Sequence, residues 1–310
     1  MATFSPKLDK ISENIIYLLS LDSRQSVSVL AHELSVNRKI VENRVNKLFD
    51  EGYIKPLAIT NESNRLRFTV LVKLNKIDDI TIHNIKKLKG LLKLKETLGL
   101  YDLSILFSVY AQKDMEDTIS KLSNILHNKI IAFEVLSHHF EDTLGYKSFC
   151  HELSYLQKHR LLNPPSVVLS SDESAVLNTI KQNPRISYVD LSKQTHMNYP
   201  QLKEITQKLI QQQLVRFSID PDYDKLGLNF HNVLVKIKIG QKDTFERYLQ
   251  HHPRIHWVKH SKGRWDYVLS VAARSINEFI DLSKQIRADN TNIILDETSL
   301  ISKVQETRRY

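Results

Sequence analysis

Apolar residues change their spacing twice between Ser26 and Ile54. Val27, Leu30, Ala31 and Leu34 fall on one helical face, and Val36 is placed to plug the corner that Ser35-Val36 makes. From Asn37 to Asp50 the apolar residues are Ile40, Val41, Val45, Leu48 and Phe49, which buries one stripe of a second helix. Asn37 is a suitable N-cap, since its side-chain oxygen can accept from a free amide of the first turn. Gly52 stops the helix, and Tyr53-Ile54 begin an extended segment. An opening helix over residues 7–20 supplies Leu8, Ile11, Ile15, Ile16 and Leu19 to pack on these two. Beyond Ile54, the polar turn Asn61-Glu62-Ser63-Asn64 separates two extended segments that run to Val72. The pattern predicts a helix-turn-helix followed by a hairpin wing.

From Phe68 the period becomes two. Phe68–Leu74 reads as a strand, residues 81–90 as a short basic helix, and 91–98 as a second strand. In residues 100–111, Tyr101, Leu103, Ile105, Phe107 and Val109 alternate with Asp102, Ser104 and Ser108. Met115, Ile119, Leu122 and Leu126 mark a helix over 114–127, and 129–137 is a last strand. The order β-α-β-β-α-β is the ferredoxin-like arrangement. Two helices would cover one sheet face. The other face is also apolar, which predicts pairing with a second module of the same kind.

The pattern then repeats. Arg185–Val215 lies over Arg24–Ile54 without a gap, pairing Arg24 with Arg185, Ser26 with Ser187, Leu30 with Leu191, Asn37 with Asn198 and Lys47 with Lys208. A repeat of this kind fixes the architecture before any local assignment. The second half adds an opening helix over 172–183 and a turn-rich stretch over 220–229. Strands are expected over 233–239, 254–260, 265–272 and 292–298, with helices over 243–251 and from a Ser275/Glu278 capping box to Arg287. The fold class is therefore α+β, with two winged helix-turn-helix domains each followed by a ferredoxin-like domain. The expected boundaries are 1–66, 67–147, 148–170 for a connecting helix (Ser148–Arg160) and linker, 171–222 and 223–310, with Asn163-Pro164-Pro165 breaking the chain between the halves.

Composition narrows the partners. The net charge of +9 and pI near 9.3 suit a polyanion. The single cysteine, Cys150, excludes an intrachain disulfide and a thiolate metal cluster within the chain. No apolar run approaches the roughly 20 residues that span a bilayer, and no signal peptide is expected. With seven glycines there is little material for phosphate-cradling loops. No nucleophile elbow, Walker loop or H-E-x-x-H pattern occurs, so neither an enzyme nor a cofactor is expected.

The first recognition helix exposes Arg38, Lys39, Asn43, Lys47 and also Arg44, with Asn37 at its start. Arginine can grip guanine and asparagine adenine through paired hydrogen bonds, whereas lysine mainly neutralises phosphate. Arg65 and Arg67 sit near the return strand of the expected wing, where they would meet phosphates or the minor groove. The second helix offers Tyr199, Gln201, Lys203 and Lys208, and carries Ile205 where the first has Arg44. For every one of these residues the alternative is a solvated surface. His252, His256 and His260 have i, i+4 spacing, which brings imidazoles together only on a helix. Pro253 and the alternation after it favour a strand, where four residues span about 13 Å, too far for two ligands of one ion.

At these residues the sequence resembles a family. Leu8-Asp9-Lys10-Ile11, Asp22-Ser23-Arg24 and Gly52-Tyr53-Ile54 in the first half resemble the leucine-responsive regulatory protein (Lrp/AsnC) family of prokaryotic transcription regulators. So do Asp220-Pro221, Lys225-Leu226-Gly227 and Lys262-Gly263-Arg264-Trp265-Asp266-Tyr267 in the second, with Gly99-Leu100-Tyr101-Asp102 at the equivalent turn of the first. The resemblance implies a cytoplasmic, nucleoid-associated regulator that binds double-stranded DNA by sequence. It also implies ferredoxin-like domains that pair through their sheets and bind small effectors, often amino acids, between them. Two fused copies would make an intramolecular pseudo-dimer, with homo-oligomers still open. Gly99, Asp102, Gly263 and Asp266 are the effector-site candidates: glycine admits a ligand to the backbone, and a carboxylate can take an amino group. Their alternative is a turn glycine with a capping aspartate. The same pair of folds also resembles siroheme decarboxylases, which carry an arginine- and histidine-rich stretch after the winged helix; neither 54–68 nor 215–230 shows it. A non-sequence-specific architectural DNA-binding protein is the third option.

Overall fold

The computed structural model describes residues 8–60, 65–151, 159–161 and 167–307. In chain order the first half holds α1 (Lys10–Leu21), α2 (Val27–Glu33), α3 (Arg38–Asp50), β1 (Ile54–Thr60), β2 (Leu66–Leu74), α4 (Asp79–Lys86), β3 (Leu91–Leu98), β4 (Leu103–Val109), α5 (Gln112–Leu126) and β5 (Ile130–Thr143). A short strand, β6 (His159–Leu161), precedes the second half. There follow α6 (Ser171–Gln182), α7 (Tyr188–Thr195), α8 (Tyr199–Gln211), β7 (Val215–Pro221), β8 (Asn229–Ile237), α9 (Lys242–His251), β9 (Ile255–Lys262), β10 (Tyr267–Ala273), α10 (Ile276–Asp289) and β11 (Ile294–Thr307). Most of the expected connecting helix Ser148–Arg160 lies outside the described residues; its described ends are part of a 3-10 turn, Lys147–Phe149, and the start of β6.

The chain forms two compact units, Met1–Ser63 with Leu144–Asn229, and Asn64–Thr143 with Phe230–Tyr310. The first unit gathers both helix-turn-helix heads, and the second gathers both ferredoxin-like modules.

Within the second unit the strand order is β2-β4-β3-β11-β8-β10-β9-β5, and β5 also pairs with β2, so the sheet closes on itself. Each module contributes four strands in ferredoxin-like order. Closure is reciprocal: β3 of one module pairs with β11 of the other, and β9 with β5. Alternation sorts the side chains. Phe68, Val70, Val72, Ile105 and Phe107 face α4 and α5 with Ile85 and Leu122 in one core, where Phe68 and Phe107 stack at 5.3 Å. The opposite face gives a second core drawn from both modules, Leu71, Tyr101, Leu136, Leu234, Trp265, Val268 and Leu300. Each such side chain fully removed from water contributes about 1.5–3 kcal/mol. The Trp265 indole N–H donates to the Tyr101 hydroxyl at 3.3 Å, so equivalent residues of the two modules meet on a local two-fold axis.

Two expectations change. Among the described residues β1 does not pair with β2: it pairs antiparallel with β7, from Ile54 opposite Pro221 to Thr60 opposite Val215, while β2 pairs with β4 and β5. The apolar positions of β1 find a matching strand in the second head instead of a return strand of their own. The expected turn Asn61–Asn64 lies outside the described residues. The closing strands are also longer than their apolar runs, because β5 and β11 each pair with a strand of both modules.

Candidate nucleic-acid interface

Each head is built on capped helices. Ser26 Oγ accepts from Val29 N at 3.3 Å to start α2, and Asn37 Oδ1 accepts from Lys39 N at 2.8 Å to start α3. Ser35 takes a left-handed φ of 52° at the corner, and His196 repeats it with 58° in the second head. Val41, Val45 and Leu48 form the buried stripe of α3; Leu202, Thr206 and Leu209 do so in α8.

The opposite face of α3 is open. Asn37, Arg38, Lys39, Asn43 and Lys47 are exposed. Lys39 lies 3.3 Å from Glu42 and Lys47 4.0 Å from Glu51. Exposed pairs of this kind are worth at most about 1 kcal/mol, so both lysines can exchange their partners for phosphate. Arg38 has no ion pair among the described residues. Arg44 departs from expectation: its guanidinium is 2.7 Å from Asp9, the N-cap of α1, and so braces the head. Burial alone would raise the Asp9 carboxyl, but the Ser12 N–H and hydroxyl and Arg44 hold it below its ordinary value.

The two arginines expected at the wing lie at the start of β2. Arg65 lies just before β2, over the Tyr110 ring at 4.3 Å and donating to its hydroxyl at 2.6 Å. Arg67 is on β2, 3.9 Å from Glu141. Both belong to the sheet unit.

The second head shows a quieter surface. Tyr199, Gln201, Lys203 and Lys208 are exposed on α8. Gln201 is committed to a capping box, donating its N–H to Asn198 Oδ1 at 3.0 Å and accepting from Asn198 N at 3.2 Å. Lys208 is 2.5 Å from Glu173 at the start of α6. That bond, with the Ser170 N–H, holds the Glu173 carboxyl below the carboxylate range. Tyr199 packs edge-on to Tyr188, with ring centres 5.2 Å apart.

The joint between the heads was not legible as such. In the β1–β7 register Leu57 faces Ser218, and these are equivalent residues of the two copies. An antiparallel pair centred on equivalent residues has a two-fold axis through it. Helix contacts repeat that symmetry: α1 packs on β7 and α6 on β1. Ser218 Oγ donates to the Ser20 carbonyl at 2.7 Å. Arg24 crosses to the second head, 4.7 Å over the Phe217 ring and donating to the Ile186 carbonyl at 3.1 Å; Arg185 returns to Phe49 at 4.9 Å. The two arginines aligned in the repeat were the available signal.

The four effector candidates lie at two equivalent turns of the sheet modules. Asp102 accepts from Lys73 Nζ at 2.9 Å and Leu74 N at 2.8 Å; Asp266 accepts from Lys236 Nζ at 2.8 Å and Ile237 N at 3.0 Å. Gly99 has φ +143°, and a Cβ there would meet the Ser299 carbonyl oxygen at 2.6 Å. At Gly263, with φ +141°, it would meet Leu136 Cδ2 at 2.9 Å and the Val135 carbonyl oxygen at 3.0 Å. Both glycines let the neighbouring module's backbone approach closely. His256 and His260 are buried on β9, and His252 caps α9, so the three do not share a helix face. His260 Nε2 is 2.9 Å from Asp142.

These features define a chain of two helix-turn-helix heads and two ferredoxin-like modules. Residues 173–216, from α6 into β7, match the winged helix-turn-helix DNA-binding family. A stretch of 101 residues is 29% identical to the HTH-type transcriptional regulator Ptr1 of Methanocaldococcus jannaschii, covering 31% of this chain and 68% of that one. The crystal structure of the siroheme decarboxylase NirDL superposes over 97% of this chain and 93% of its own, with TM-score 0.62 and 13% identity, a likeness of fold. The structure of E. coli AsnC covers 42% of this chain and 91% of its own, with TM-score 0.32 and 16% identity.

Proposed function

We propose that this chain is a transcription regulator that binds double-stranded DNA by sequence through its paired heads. One observation carries the reading: α3 is capped, buried along one stripe, and exposes Arg38, Lys39, Asn43 and Lys47 together on the other. In a major groove Arg38 would grip guanine and Asn43 adenine, while the lysines neutralise phosphates. Similarity to a regulator over part of the chain, and the net charge of +9, support the reading. A small effector such as an amino acid would act on the two heads as a pair, since strand pairing and crossed arginines hold them together. Association with the nucleoid in the cytoplasm follows from the same reading.

The test is selection from random duplex DNA, followed by binding assays with Arg38→Ala. Loss of roughly 1–3 kcal/mol with relaxed preference at one position is expected. Unchanged affinity and preference would overturn the assignment. Steep salt dependence without any enriched sequence would favour an architectural role instead.

A second reading rests on the shared fold with a siroheme decarboxylase across 97% of the chain. Titration with siroheme separates the two: a Soret shift with carbon dioxide release would favour the enzyme, and an unchanged spectrum the regulator.

A further inference from the structure

The heads are joined symmetrically but do not present the same chemistry. Arg38 of α3 is matched by Tyr199 of α8, Lys39 by Pro200, and Asn43 by Glu204, and all six are exposed. The first turn of a recognition helix is the part that meets base edges. There the first head offers two cations, and the second an aromatic ring and a proline ring. Asparagine suits adenine, whereas a carboxylate accepts from the amino group of cytosine and is repelled by phosphate. The Lys208 ammonium, moreover, is engaged by Glu173.

Building on the DNA-binding reading above, we infer that one chain occupies one operator as a single copy, across two unlike half-sites in inverted orientation. The half-site under α3 supplies most of the affinity. The half-site under α8 is read weakly, through Tyr199 and Glu204. The strand pair centred on Leu57 and Ser218 supplies the inversion, and the side-chain differences supply the asymmetry. Because each head is held by the other, the distance between half-sites is fixed by the protein. The protein therefore lies on its site in one direction only.

The test uses the full chain in selection from random duplexes, with complex mass measured by native mass spectrometry. The expected motif has one sharp half and one degenerate half at a single spacing, with one chain per duplex. Arg38→Ala should flatten only the sharp half and weaken binding roughly 5- to 150-fold. Glu204→Ala should change base preference only in the degenerate half, and leave affinity within about threefold. Five base pairs inserted between the halves turn one head away from its groove, and affinity should fall to that of the sharp half alone. A palindromic motif, or two chains on each site, overturns the inference while leaving sequence-specific binding in place. Absence of any enriched motif overturns the DNA-binding reading and the inference with it.

Discussion

The pair of heads and the pair of sheet modules are each closed around a local two-fold axis, yet their two copies differ in different ways. In the sheet modules the same turn appears twice, with glycine admitting a strand and aspartate accepting one lysine and one backbone N–H. In the heads the joining surface is shared, but the outward helix faces differ at Arg38/Tyr199, Lys39/Pro200 and Asn43/Glu204. A closed sheet constrains both copies alike, because each turn must fit under the other module's backbone. An exposed helix face has no such constraint, and its chemistry answers only to what it touches outside the chain.

The largest expected effect tests the sheet side of this contrast. Gly99→Ala and Gly263→Ala place a Cβ against the Ser299 or Val135 carbonyl and force an unfavourable φ. Each should cost about 3 kcal/mol in urea unfolding. Equal, large losses would show that the two turns are interchangeable in kind; loss at one alone would break the symmetry claimed for them.

Next comes a support that, among the described residues, only the first head has. The Leu144–Cys150 segment returns across α1, with Tyr146 N donating to Ser20 Oγ at 3.1 Å, and it buries Lys147. Burial lowers this lysine from 10.5 to about 7, while the Cys150 sulfur pulls weakly the other way. Between those values the unfolded chain holds the extra proton. Stability should therefore rise with pH across pH 7 to 10.5, by up to about 1.4 kcal/mol per unit. Below pH 7 the penalty is complete and constant. Lys147→Met should be more stable at neutral pH and lack that slope in thermal melts; an unchanged slope would assign it elsewhere.

The smallest effect belongs to the second head. Gly52 ends α3 with φ 69°, whereas its counterpart Gln213 adopts φ 57° with a side chain attached. Gln213→Gly should raise stability by about 0.5–1 kcal/mol, since the left-handed strain removed exceeds the backbone entropy added. A loss would show that the glutamine side chain contributes more than its backbone costs.

What the sequence revealed follows from the range of the interactions involved. Helices with buried stripes, such as α3 with Val41, Val45 and Leu48, declare themselves through spacing and a cap within a few residues. The β-α-β-β-α-β order, and the need of its second face for a cover, were readable from alternation in β2 and β4. Residues whose partners are far along the chain were not readable. Arg44 looked like a groove residue because nothing near it in sequence points to Asp9 as its partner. Arg65 and Arg67 were assigned to a wing because β1 and β2 are adjacent in the chain, while β1 pairs with a strand more than half the chain away. Asp102 and Asp266 looked like ligand groups because the backbone amides they accept from are on other strands.

Leu57 facing Ser218 also bears on how the protein behaves when scarce. A two-chain assembly falls apart on dilution, but here the second head arrives with the first at a local concentration set by the chain itself. If the chain binds DNA as proposed, occupancy of a site should track the first power of protein level, without a threshold.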